Sequence, residues 1–104
     1  MIVHIVMIKI SASSEPEKKK RILMLKESLK KLPSLIPEIK YYDVGVNIST
    51  RSNAYDLAVV SEFEDAGDLG IYRDHPEHQK VVGLLEGIKE DVVVVDYEKS
   101  SDKS

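Results

Sequence analysis

The segment Tyr72-Arg73-Asp74-His75-Pro76-Glu77-His78 puts a phenol and two imidazoles within seven residues. Imidazole is the side chain that ordinarily titrates near neutrality, and a phenol can donate a hydrogen bond to a developing oxyanion, so this grouping suits acid–base chemistry. Pro76 disfavours the helical conformation at His75 and is at home in the first turn of a following helix. A break there can turn Tyr72 and His78 into the space between a helix layer and a sheet. His78 then falls in the first turn of the second helix. The positive end of the helix dipole disfavours imidazolium at that point and keeps the ring neutral. A neutral imidazole can remove an acidic proton next to a carbonyl. His4, within an apolar run, can add a third polar contact. Each residue also has a structural use: His78 as a half-buried cap, His75 bonded to nearby backbone, and His4 and Tyr72 as core side chains.

His75 and His78, with Asp74 and Glu77 beside them, also raise a metal reading. Zinc wants at least three protein ligands in a definite arrangement, and the sequence has no second cluster and no cysteine. The expectation is therefore no metal and no cofactor.

Positioning such a cluster takes a folded core. A chain of 104 residues suits one domain, expected over residues 1–98, with a disordered polar tail over 99–104. A hydrophobic fraction of 42% can build a core with little margin, so a partner surface would help. The formal charge of −3 provides no field for nucleic-acid binding. The basic run Lys18 to Arg21 lies beside Glu15 and Glu17 and reads as a solvated helix face. No apolar run approaches the roughly 18 residues of a membrane span and no basic leader opens the chain, so no membrane partner and a cytoplasmic location are expected.

Ile2 to Ile10 reads as a strand with Ile2, His4, Val6, Ile8 and Ile10 on one face and Val3, Ile5, Met7 and Lys9 on the other. Ser14 and Glu17 form a capping-box pair, and Ile22, Leu25, Leu29 and Leu32 continue at helical spacing until Pro33 and Pro37. A second strand is expected from about Ile39 to Ile48, with Gly45 marking a bulge. A third runs from Tyr55 to Phe63. Asp65 caps a short helix through Tyr72, Pro76 restarts it, and His78, Val81, Val82, Leu85 and Ile88 share one face. Gly70, Gly83 and Gly87 are costly in helices, which suggests close backbone approach. Val92 to Val95 is the core of a last strand.

This order predicts an α+β, ferredoxin-like βαββαβ domain, a four-stranded antiparallel sheet with helices on one face. Strands that are apolar on both faces then demand a second cover. A second copy packed sheet to sheet, making a dimeric α/β barrel, supplies it economically.

From Ile2 to Glu98 the chain resembles the stress-responsive dimeric α/β-barrel (Dabb) family. The likeness is carried by Val3-His4-Ile5-Val6-Met7-Ile8-Lys9, Ile36-Pro37, Val44-Gly45-Val46-Asn47-Ile48-Ser49, the segment Tyr55 to Glu64, Tyr72 to His78, and Val94-Val95-Asp96-Tyr97. The resemblance implies a homodimer with a cavity between sheet and helices. It also implies that Tyr72 and His78 correspond to the acid–base pair of cyclase-like relatives, with His4 and His75 as candidate ligand contacts. The expected function is a homodimeric Dabb protein that binds a small hydrophobic molecule. A cofactor-independent, polyketide cyclase-like enzyme is the alternative, and a cofactor-free monooxygenase of quinol-like compounds the third.

Overall fold

Ile2–Ile10 forms strand β1, and it is the hub of the molecule. In this computed structural model, which describes residues 1–100, β1 pairs antiparallel with both β3 (Leu57–Phe63) and β4 (Lys89–Glu98). β2 (Tyr41–Val46) completes a sheet of order β2-β3-β1-β4. The connections are α1 (Glu15–Lys30) with the short α2 (Leu32–Leu35), then α3 (Ala66–Asp74) and α4 (Pro76–Glu86). This is the expected βαββαβ order.

Local chemistry explains the helix boundaries. Ser14 Oγ accepts from the Glu17 amide at 3.3 Å, while the Glu17 carboxylate reaches back to Ser13, at 3.0 Å from its amide and 2.7 Å from its hydroxyl. The capping box is thus displaced by one residue. Asp65 caps α3 by accepting from the Asp68 amide at 2.9 Å. Pro33 lies in the first turn of α2, so α1 stops and the chain re-enters helix at a new angle. Lys18 is not simply solvated: its ammonium lies 3.3 Å from Asp56, whose other oxygen accepts from the Ile10 amide at 2.7 Å. That contact ties α1 to the sheet.

The strand pattern divides the sheet as its alternation requires. One face carries Ile8, Ile10, Leu57, Val59 and Phe63, all buried under Leu25, Leu29 and Leu69 of the helices. Burial is worth about 1.5–3 kcal/mol for each such side chain, and this face supplies the core. The other face has no helix. Met7, Val93, Val95 and Tyr97 stand exposed there, at 37–50% of their full area.

Several expectations change in detail. β2 is shorter than expected because Ile39 closes a turn, its amide donating to the Ile36 carbonyl at 3.2 Å, and the chain joins β3 only from Lys40, whose amide donates to the Glu62 carbonyl at 2.9 Å. Gly45 pairs regularly with Ala58, and the register irregularity lies instead between Lys9 and Ile10, where β1 meets β4. A Cβ built at Gly70 or Gly83 meets nothing within 4 Å, so close approach inside the chain does not explain those glycines. Of the polar tail, Lys99 donates its amide to the Met1 carbonyl at 2.8 Å, and residues 101–104 lie outside the described residues.

The helix layer covers β4 least. α1 packs on β2 and β1, and α3 packs on β3. On the same face Val94 of β4 remains 56% exposed. A cleft opens over β4.

Candidate functional site

The strand registers align four polar side chains in one row across the helix-covered face. Tyr42 pairs with Ser61, Ser61 with His4, and His4 with Asp96, so the row crosses β2, β3, β1 and β4. A hydrogen bond from His4 Nδ1 to the Asp96 carboxylate joins the last two. Ser61 is fully buried, and its hydroxyl is 3.4 Å from the His4 carbonyl.

Two helices bring the remaining groups over this row. Tyr72, in the last turn of α3, is buried against Phe63, with ring centroids 5.0 Å apart. Its hydroxyl is 2.9 Å from that of Tyr42. His78, in the first turn of α4, lies over Tyr72 with ring centroids 4.3 Å apart, and the His4 ring is edge-on to Tyr72 at 6.1 Å. Tyr72, His78 and His4 therefore converge.

The break between α3 and α4 sets the state of His78. Helix continuation would have given the Glu77 amide to the Arg73 carbonyl. That amide instead donates to His75 Nδ1 at 3.0 Å, because His75 caps α4. The freed Arg73 carbonyl accepts from His78 Nδ1 at 3.0 Å and from Gln79 at 2.6 Å. With the proton on Nδ1, His78 Nε2 keeps its lone pair. Burial is the main cause that lowers the His78 pKa below its ordinary value; the nearby charges of His4, Arg73 and His75 act in the same direction, and the bond to the Arg73 carbonyl opposes them. The ring is neutral at physiological pH. Burial likewise raises the pKa of Tyr72 and of Tyr42, so both phenols keep their protons.

His4, Tyr72 and His78 line a cleft of about 370 Å³, whose apolar walls include Val6, Leu69, Val82, Leu85, Val92 and Val94. That volume accommodates a small organic molecule. A neutral base, a phenol and a histidine–carboxylate pair beside apolar walls can hold a carbonyl compound and move a proton. His75 is absent from this lining, since its ring is used at the helix start. Tyr42, Asp96 and Arg73 belong to the site and were not singled out in the sequence. Asp96 interrupts the alternate apolar positions Val92 and Val94, which is a signal; Tyr42 becomes visible only with the strand register. Among the described residues, no three His, Asp or Glu side chains gather as a metal site. No helix among them is long and apolar enough to cross a membrane.

A four-stranded antiparallel sheet, helices on one face and a cluster of two histidines and a tyrosine between the layers define a ferredoxin-like α+β protein with an open cleft. Residues 2–99 match the sequence profile of the stress responsive A/B barrel domain, Dabb, and the chain belongs to that family. An uncharacterised protein of Streptomyces coelicolor is 35% identical over 101 residues, spanning 94% of this chain and 99% of its own. A dimeric protein of unknown function with a ferredoxin-like fold from Bacteroides fragilis superposes with a TM-score of 0.86 at 32% identity, covering 94% of this chain and 95% of its own. A dimeric ferredoxin-like protein of unknown function from Thermobifida fusca gives 0.79 at 28% identity, covering 92% and 88%.

Proposed function

We propose that this chain is a homodimer paired through the open sheet face, and that each protomer's cleft binds a small, mainly apolar carbonyl compound for cofactor-independent acid–base chemistry. The carrying observation is His78: a neutral imidazole, its Nδ1 tied to the Arg73 carbonyl, in an open cleft beside Tyr72. In the reaction His78 Nε2 takes a proton from carbon next to the carbonyl. The electron pair moves onto the carbonyl oxygen, and the Tyr72 hydroxyl donates a hydrogen bond to that enolate. The proton returns from His78 to complete the cycle. Tyr42 can donate to the Tyr72 oxygen, which leaves the Tyr72 proton for the ligand.

Proton exchange from C1 of 2-tetralone in D2O, followed by NMR, tests this on a generic carbonyl probe. Wild type should accelerate exchange, and His78→Gln should lose about 100-fold or more, the usual contribution of a positioned base. If exchange survives His78→Gln within about tenfold, equivalent to roughly 1.4 kcal/mol of barrier, His78 is not the base. Unchanged binding without any exchange would favour a carrier over an enzyme.

The dimer is supported by the uncovered apolar face, with Met7, Val93, Val95 and Tyr97 exposed, and by the dimeric state of the Bacteroides and Thermobifida proteins. Light scattering at micromolar concentration should give twice the chain mass, and Val95→Asp should give the monomer. A wild-type monomer at that concentration would remove the dimer from the proposal.

A further inference from the structure

One charged side chain of the cleft, itself exposed to solvent, has no ionic partner among the described residues. The cleft's two carboxylates are both engaged, Glu86 with Lys89 at 2.8 Å and Asp96 with His4. Arg73 also lines the cleft, yet among the described residues it forms no ion pair and its guanidinium no hydrogen bond. Asp74, its neighbour in the chain, is in none of these pairs either. Arg73 lines the same cleft as His4, Tyr72 and His78, which places it near the reacting groups. A basic residue in the last turn of α3 also complements the helix dipole. That role is met by any exposed position of the turn and does not require the one beside the cleft.

We infer that the ligand is an organic anion whose acidic group pairs with Arg73 while its apolar body lies along Val82, Leu85, Val92 and Val94. The inference rests on the cleft being the binding site, and it narrows the ligand from any apolar carbonyl compound to an acidic one. A planar guanidinium offers paired donors to a carboxylate, and such charge-assisted bonds outweigh neutral ones. Arg73 thus sets ligand class and orientation, and leaves the proton transfer to His78 and Tyr72.

Two fluorescent probes of similar shape separate the possibilities: the anion 1-anilinonaphthalene-8-sulfonate and the neutral N-phenyl-1-naphthylamine. Both are titrated against wild type, Arg73→Gln, Arg73→Lys and Val82→Trp, with circular dichroism to confirm folding. Arg73→Gln should weaken the anion by about fivefold or more and the neutral dye by less than about twofold, and Arg73→Lys should recover part of the difference. Added salt should weaken only the anion. If Arg73→Gln affects the two dyes equally, or neither, Arg73 does not select the ligand, although the cleft reading stands. If Val82→Trp leaves both dyes bound as in wild type, they do not occupy the cleft, and the cleft reading falls together with this one.

Discussion

Removing the hydroxyl from Tyr42, from Tyr72, or from both should produce stability changes that do not add. The two oxygens lie 2.9 Å apart and both rings are largely buried, so each hydroxyl is the other's partner. Among the described residues no buried side-chain polar atom lacks a hydrogen bond. Tyr42→Phe alone removes the protein partner of the Tyr72 hydroxyl, and Tyr72→Phe alone removes that of Tyr42. A buried group left without its partner costs about 1–3 kcal/mol, so each single variant should lose that much. The double variant removes both groups and strands neither. Its loss should fall short of the sum of the singles by about 1 kcal/mol or more, and that shortfall is the coupling energy. For a chain of this size 1 kcal/mol corresponds to roughly 4–8 °C in Tm. Urea unfolding at one fixed protein concentration measures the cycle, because a dimer's apparent stability depends on concentration. Additive losses would refute the reasoning, since they would mean that each hydroxyl already has another partner and that Tyr42 does not hold Tyr72.

Two further outcomes follow from the packing and the electrostatics. Burial holds the folded-state pKa of His78 below its ordinary 6.5, so the unfolded chain takes up that proton first as pH falls; the stability from the neutral ring is complete above about pH 6.5 and is lost on acidification toward the lowered folded value, and urea midpoints between pH 8 and 5 should fall more steeply in wild type than in His78→Gln. Leu25 is fully buried where α1 meets the sheet, and Leu25→Ala should cost about 2–5 kcal/mol in the same urea assay, with a loss under 1 kcal/mol showing that α1 does not pack there as described.

The fold was legible because the information that defines it is local. Alternation in Ile2 to Ile10 marks both faces of β1, Ser14 with Glu17 starts α1, and Pro76 places the break between α3 and α4. The limits of β2 and β3 were less legible, since the apolar pattern runs on past Tyr41–Val46 and Leu57–Phe63 and the pairing between the two strands decides where each stops. The same distinction divides the site. Tyr72, His78 and His75 are close in sequence and announce themselves, whereas Tyr42 and Asp96 acquire meaning only from strand pairing, 30 and 92 residues away from their hydrogen-bond partners. His75 illustrates the reverse case: its type and position suggested a ligand contact, but the amide left free by Pro76 uses its ring nitrogen. Arg73 has no signal of its own in the sequence, and it stands out only once Glu86 and Asp96 are seen to be paired with other residues.

The central position of β1 has a consequence in time. It is made before the other strands of its sheet, and its two neighbours, β3 and β4, begin at Leu57 and Lys89. Until β3 and β4 have been made, a nine-residue, β-branched segment that is apolar on both faces waits without partners, which is the profile of an aggregation-prone intermediate. Asp96, the last member of the polar row, is made after the other three. The cleft and the safety of the newborn chain are therefore secured by the same late event, the insertion of β4 beside the oldest strand.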